Sequence, residues 1–196
     1  MTEAAAKADL HRYLQEARDA VLWKLNGLSE YDARRPMTPT GTNLLGLVKH
    51  LIGVEVGYFG FVFGRPFGEP VDWIGPAVEP GADKWATAEQ SREYLVGLYQ
   101  QACAHSDATI ETLALDAVGL VIWWPPEDSE ATLRRVLVHV IAETQRHAGH
   151  ADIIRELIDG AVGRQPNTAD MAPGDEASWE LYRDQLERVA RDAGQR

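Results

Sequence analysis

Residues 133–160 read LRRVLVHVIAETQRHAGHADIIRELIDG. Apolar residues recur at helical spacing, and Gly160 suits the C-terminal end of a helix. Within this stretch His139, Glu143, His147 and His150 follow one another at intervals of four, four and three. At about 100° per residue, these side chains fall within roughly 80° of arc. One helix therefore carries three imidazoles and a carboxylate on a single stripe. The rest of the chain can be read by asking what that stripe faces.

The best candidate is residues 43–63, NLLGLVKHLIGVEVGYFGFVF, predicted as a long apolar helix capped by Thr42. Leu47, His50, Leu51, Val54 and Tyr58 form its core-facing stripe. Gly46, Gly53, Gly57 and Gly60 lower its helix propensity but let neighbours approach closely. A buried imidazole needs partners for both nitrogens. His50 is thus either a satisfied core histidine or a ligand.

Three more helices complete the pattern. Thr2 caps one that runs to about Leu25, with Leu10, Leu14, Ala17 and Val21 inward and Gly27 as its stop. His11 reads as a surface histidine. The capping-box pattern Thr87-Ala-Glu-Gln90 opens another, ending near Leu113, and Ser129 is expected to cap the stripe helix. Glu176 to Ala193 carries Trp179, Tyr182, Leu186 and Val189 on one face and reads as a packed C-terminal helix. Residues 29–42 form a connection with one helical turn at its start. Residues 64–86 form a long Gly/Pro-rich loop, either functional or simply wrapped over the bundle. A further Gly/Pro-rich loop spans 161–175. GLVIWW, at 119–124, is β-like, but a lone strand has no pairing partner. Trp123 and Trp124 are expected to cover a bundle end rather than line a pocket. The fold class is all-α: a bundle in a single domain, 1–196.

Composition excludes several functions. A net charge of −11 repels nucleic acid and anionic lipid. A single cysteine, Cys103, rules out an internal disulfide or a CxxC site, and reads as a structural thiol rather than a nucleophile. The N-terminus lacks an apolar signal core, and no apolar run of about 18 residues is free of charge, so no membrane span and a cytoplasmic location are expected.

The chemistry lies in the stripe. Imidazole and carboxylate donors suit a divalent transition metal such as Zn or Ni. Glu143 and His147 provide a pair one turn apart, and His50 is the best third ligand because it lies on the apolar face of another long helix. Such a mononuclear site keeps positions open for water or substrate. The zincin motif fails, since valine follows His139, and the Glu-x-x-His spacing of di-iron bundles is absent. The residues alone leave two readings: a metal site, or a polar seam of hydrogen-bonded histidines.

His50 within NLLGLVKHLIGVEVGYF, together with HVIAETQRHAGHADIIRELIDG, resembles the DinB-like metal-dependent four-helix-bundle superfamily. It is most similar to the branch containing the N-terminal domain of mycothiol-dependent maleylpyruvate isomerase. The resemblance implies a four-helix bundle with long connecting loops, an extra C-terminal helix, and His50, Glu143 and His147 as metal ligands. It places His150 behind the ligands as a support or an occasional extra ligand, and makes His139 a bystander. It implies a transferase or isomerase that uses a low-molecular-weight thiol (mycothiol, bacillithiol or glutathione) on a small electrophile. A non-catalytic metal-binding stress or sensing protein and a structural bundle without metal are the alternatives. Arg146 and Arg155 flank the stripe, either as solvated charges or as carboxylate binders. A homodimer, the commonest closed assembly, is the default oligomer.

Overall fold

The computed structural model describes residues 2–75, 77–166 and 174–195. The backbone divides into two compact units, residues 1–161 and 162–196. The first contains α1 (Glu3–Trp23), α2 (Glu30–Arg34), α3 (Leu44–Glu55), α4 (Arg92–Thr112) and α5 (Leu133–Asp159). Four long helices pack in a ring, α1 against α5, α5 against α3, α3 against α4 and α4 against α1. This is the all-α bundle expected. Its core is built from the apolar stripes of these helices, including Leu14, Val21, Leu51, Ile52, Leu98, Ile110, Val136 and Val140, all buried.

Helix ends follow local chemistry, with three displaced caps. Thr2 Oγ1 accepts the Ala5 amide as expected, and Gly160 closes α5 with φ 76°. On α3 the cap is Asn43, whose Oδ1 accepts the Gly46 amide at 2.8 Å, rather than Thr42. On α4 it is Ser91; Thr87–Gln90 instead closes a turn, with the Thr87 amide donating to Gln90 Oε1. On α5 it is Thr132 and not Ser129, because residues Glu130–Thr132 (β2) pair antiparallel with Val118–Leu120 (β1). The β-like segment therefore finds its partner in the run immediately before α5. The Leu133 and Arg134 amides, orphans of a helix start, donate to the Ala117 and Leu115 carbonyls.

The helix expected to continue to Phe63 changes character after Glu55. Val56–Gly60 forms a π-turn and Phe61–Phe63 a 3₁₀ turn. Such turns recur at functional sites, and this one carries Tyr58. The span Leu44–Phe63 is long and apolar enough to cross a membrane, but it is mostly buried inside the protein, as a core helix is.

A buried charge cluster joins three helices. Arg18 of α1 donates through Nε and Nη2 to both oxygens of Glu55 on α3, at 2.8 and 2.7 Å, and through Nη1 to Asp107 on α4 at 2.7 Å. His11 also reaches Asp107, Nε2 to Oδ1 at 2.8 Å, so it is a bundle contact and not a free surface histidine. Cys103 lies beside this cluster; burial, then the nearby Glu55 carboxylate, push its thiol well up, as befits a structural cysteine.

The second unit contains α6 (Glu176–Gly194), capped by Asp175. The helix is where the periodicity predicts it, and none of its residues is buried. Residues 167–173 of the predicted 161–175 loop lie outside the described residues.

Candidate metal centre

α3 and α5 bring His50, Glu143 and His147 together. One donor atom from each lies within 4.8 Å of the other two. Glu143 Oε1 is 3.1 Å from His147 Nε2 and 3.5 Å from His50 Nε2. Donors held about 2.0–2.1 Å from one ion lie roughly 3–3.5 Å apart, so the two separations from Glu143 and this nitrogen–oxygen set suit a single divalent metal. The three residues are only partly buried, which leaves room for a further ligand.

Each imidazole is held from behind. His50 Nδ1 donates to Asp83 Oδ2 at 2.6 Å, which turns Nε2 toward Glu143. His150 Nδ1 stands 3.3 Å from His147 Nδ1, the position of a support behind the cluster. Burial, reinforced by the neighbouring His50, lowers the pKa of His147. Burial would raise that of Glu143, but the charges and hydrogen bonds of His147 and His50 hold it below its usual range. Burial thus favours an uncharged His147, and its partners an ionised Glu143, the states that metal ligation requires.

Asp83 comes from the 64–86 loop, which is fastened along the start of α3. Asn43 Nδ2 donates to the Lys84 carbonyl at 3.3 Å, and the buried Lys49 ammonium to the Trp85 carbonyl at 2.8 Å. A Cβ at Gly46 would run into the Lys84 carbonyl, so this glycine permits the close approach its position suggested. The loop therefore wraps the bundle and brings the Asp83 carboxylate to His50.

Two cavities flank the cluster, and His50 and Glu143 line both. The first, about 350 Å³, is polar, with Thr40, Thr42, Asn43, Lys84, Arg146 and His150. The second, about 520 Å³, is aromatic, with Tyr58, Trp73, Trp123 and His139 in its walls.

A model of the mycothiol-S-transferase family matches residues 9–160. The chain belongs to that family. Among curated proteins none matches it. The matched stretch contains every residue of the cluster and its supports.

The other candidates divide. His139 stacks on Tyr58 and Trp124, at 4.8 and 5.0 Å between ring centres, and is wall rather than cluster. Arg155 is neither solvated nor a carboxylate binder for a ligand: it is buried and donates to the Lys24 and Asn26 carbonyls and to Asp159. Arg146 is exposed at the polar cavity and makes no ion pair among the described residues. Trp123 and Trp124 each line a cavity, against expectation, and Trp124 also packs on His139. Asp83 and Tyr58 were missed as functional residues. Asking what satisfies His50 Nδ1 would have called for a residue such as Asp83, but a loop has no period by which to locate it.

Proposed function

We propose that the protein is a divalent-metal-dependent S-transferase that joins mycothiol to a small electrophile. The observation that carries this reading is the His50–Glu143–His147 cluster at the junction of two cavities in a mycothiol-S-transferase chain. These three side chains would hold the ion, zinc or nickel by their donor set. When bound, such an ion lowers the pKa of a thiol that joins it and makes a nucleophile near neutral pH. Glu143 moderates that effect, because its negative charge offsets part of the ion's. Asp83 orients His50, and His150 orients His147. The polar cavity suits the hydroxyl-rich body of the thiol, which Thr40, Thr42, Asn43, Lys84 and Arg146 can hydrogen-bond. A reduced low-molecular-weight thiol as cosubstrate fits a cytoplasmic location.

Elemental analysis of protein purified without chelator or metal-affinity tag is expected to give about one Zn or Ni per chain. Metal-loaded protein is expected to conjugate mycothiol to monobromobimane, to stop when a chelator is added, and to recover on metal readdition. Bound metal without conjugation by any thiol would instead support a non-catalytic metal-binding protein. Absence of metal would return the cluster to a polar seam.

A further inference from the structure

The cluster opens on two sides of unlike chemistry, and the aromatic side says what kind of electrophile it takes. Its walls are mainly carbon: Val54, Phe61, Trp73, Ile74 and Trp123 surround Tyr58. Its volume of about 520 Å³ is ample for a small ligand. Tyr58 is set apart by its hydrogen bonds. Its hydroxyl oxygen accepts from Trp123 Nε1 at 3.2 Å and from Trp124 Nε1 at 3.1 Å. A phenol has one proton to donate and at most two lone pairs with which to accept. Both indoles occupy the accepting side, and no described residue accepts the proton. The ring is fixed between Trp123, edge-on at 5.2 Å, and His139 at 4.8 Å, and is 8% exposed. The result is a phenol held in the wall of the cavity that His50 and Glu143 also line, with its accepting side filled and its proton left to donate. A donor in such surroundings gains most from a ligand that brings the acceptor.

From this juxtaposition we propose that the aromatic cavity is the electrophile subsite, that it takes an apolar conjugated carbonyl compound, and that Tyr58 donates a hydrogen bond to the carbonyl oxygen. The inference rests on the S-transferase reading above. Sulfur forms a bond to the β-carbon as the carbon–carbon π bond breaks, and the displaced electron pair moves through the α-carbon to the carbonyl oxygen. That oxygen becomes an enolate, to which the Tyr58 hydrogen bond strengthens. The α-carbon then takes up a proton in place of the one the thiol lost, so nothing is oxidised or reduced and no further reactant is consumed. A fixed donor that binds oxygen more tightly as charge develops accelerates such a step. A displacement of halide puts no charge on oxygen and draws less from it. The cavity's carbon walls and the Glu143 carboxylate at its end disfavour anionic electrophiles.

The test compares kcat/KM for two apolar electrophiles of similar size, benzylideneacetone and benzyl bromide, with mycothiol and metal-loaded protein. Tyr58→Phe is expected to lower the ratio of enone to bromide by about tenfold or more. If Tyr58 only supports the two tryptophans, the variant affects both electrophiles alike; an unchanged ratio overturns the proposal. Benzylacetone, the saturated ketone, is expected to inhibit the wild-type protein in competition with benzylideneacetone and not with mycothiol. Competition with mycothiol would overturn the separate subsite. Failure of all electrophiles, monobromobimane included, would instead count against the S-transferase reading, whereas turnover of the bromides with an unchanged ratio overturns this proposal and leaves that reading standing.

Discussion

Asp83 holds His50 by Nδ1 and so sets where Nε2 points, although it lies 33 residues away in a loop. Removing a carboxylate that holds a ligand histidine costs roughly 10–100-fold in metal affinity. Asp83→Ala is expected to weaken metal binding by that factor in chelator competition, with little change in fold. His50→Ala and His147→Ala are expected to lose the metal, and His139→Ala to keep it, because His139 sits against Tyr58 and Trp124 instead. Stoichiometric metal retained in His50→Ala would overturn the ligand set. The same residues give a pH dependence. Burial lowers His139 and His147 in the folded protein, so the unfolded chain binds more protons once the pH drops through about 6.5. Glu143 is also lowered, and its contribution is present above about 4.5 and lost as the pH falls through its folded value. Both effects act in one direction: the metal-free protein is expected to lose Tm between pH 7.5 and 5.5. A Tm that rises on acidification would contradict these environments.

At the scale of elements, the loop at 64–86 and the first turns of α3 behave as one unit. Asn43, Lys49 and His50 hold three consecutive loop residues, Lys84, Trp85 and Asp83 in that pairing. Gly46 lets them meet. An alanine inside a helix usually gains about 1 kcal/mol over glycine. At Gly46 the added Cβ would meet the Lys84 backbone, so Gly46→Ala is expected to destabilise the fold and weaken metal binding together. Gly97→Ala is the control: it lies within α4 with nothing near its Cβ position, and is expected to stabilise by about 0.5–1 kcal/mol. Urea denaturation distinguishes the two. Caps offer a second comparison. Thr132→Ala is expected to cost about 1 kcal/mol and Ser129→Ala much less, since Thr132 accepts the Arg135 amide at the start of α5.

The whole bundle depends on charges that the site does not use. Arg18 and Glu55 are each about 1% exposed and joined by two hydrogen bonds, with Asp107 as a third partner. Truncating one member of such a pair leaves the other buried without compensation. Arg18→Met is expected to destabilise by about 3–5 kcal/mol, read from urea unfolding. A cost below about 1 kcal/mol would show that the pair adds little beyond its volume. Metal should act at the same scale, since it would join α3 to α5. At a free metal concentration about 100 times its Kd it adds roughly 2.7 kcal/mol, so a chelator should lower Tm.

Periodicity was enough to locate the helices and to put His50, Glu143 and His147 on apolar or polar stripes, because a helix repeats every 3.6 residues and a stripe is a local property. The same reasoning identified Gly160 as a helix end and explained the glycines of α3. It could not choose among adjacent capping residues, because Thr42 or Asn43, and Ser129 or Thr132, differ only in what the backbone does next. It could not pair β1 with β2, whose strands have three residues each and no periodic signal. It gave α6 an apolar face without saying what, if anything, buries it. Only the tertiary structure brought Asp83 to His50, joined Arg18 to Glu55 and Asp107, and turned Tyr58 into a hydroxyl with both acceptor positions filled. These are contacts between residues far apart in the chain. They depend on distance in space, which a stripe of sequence does not record.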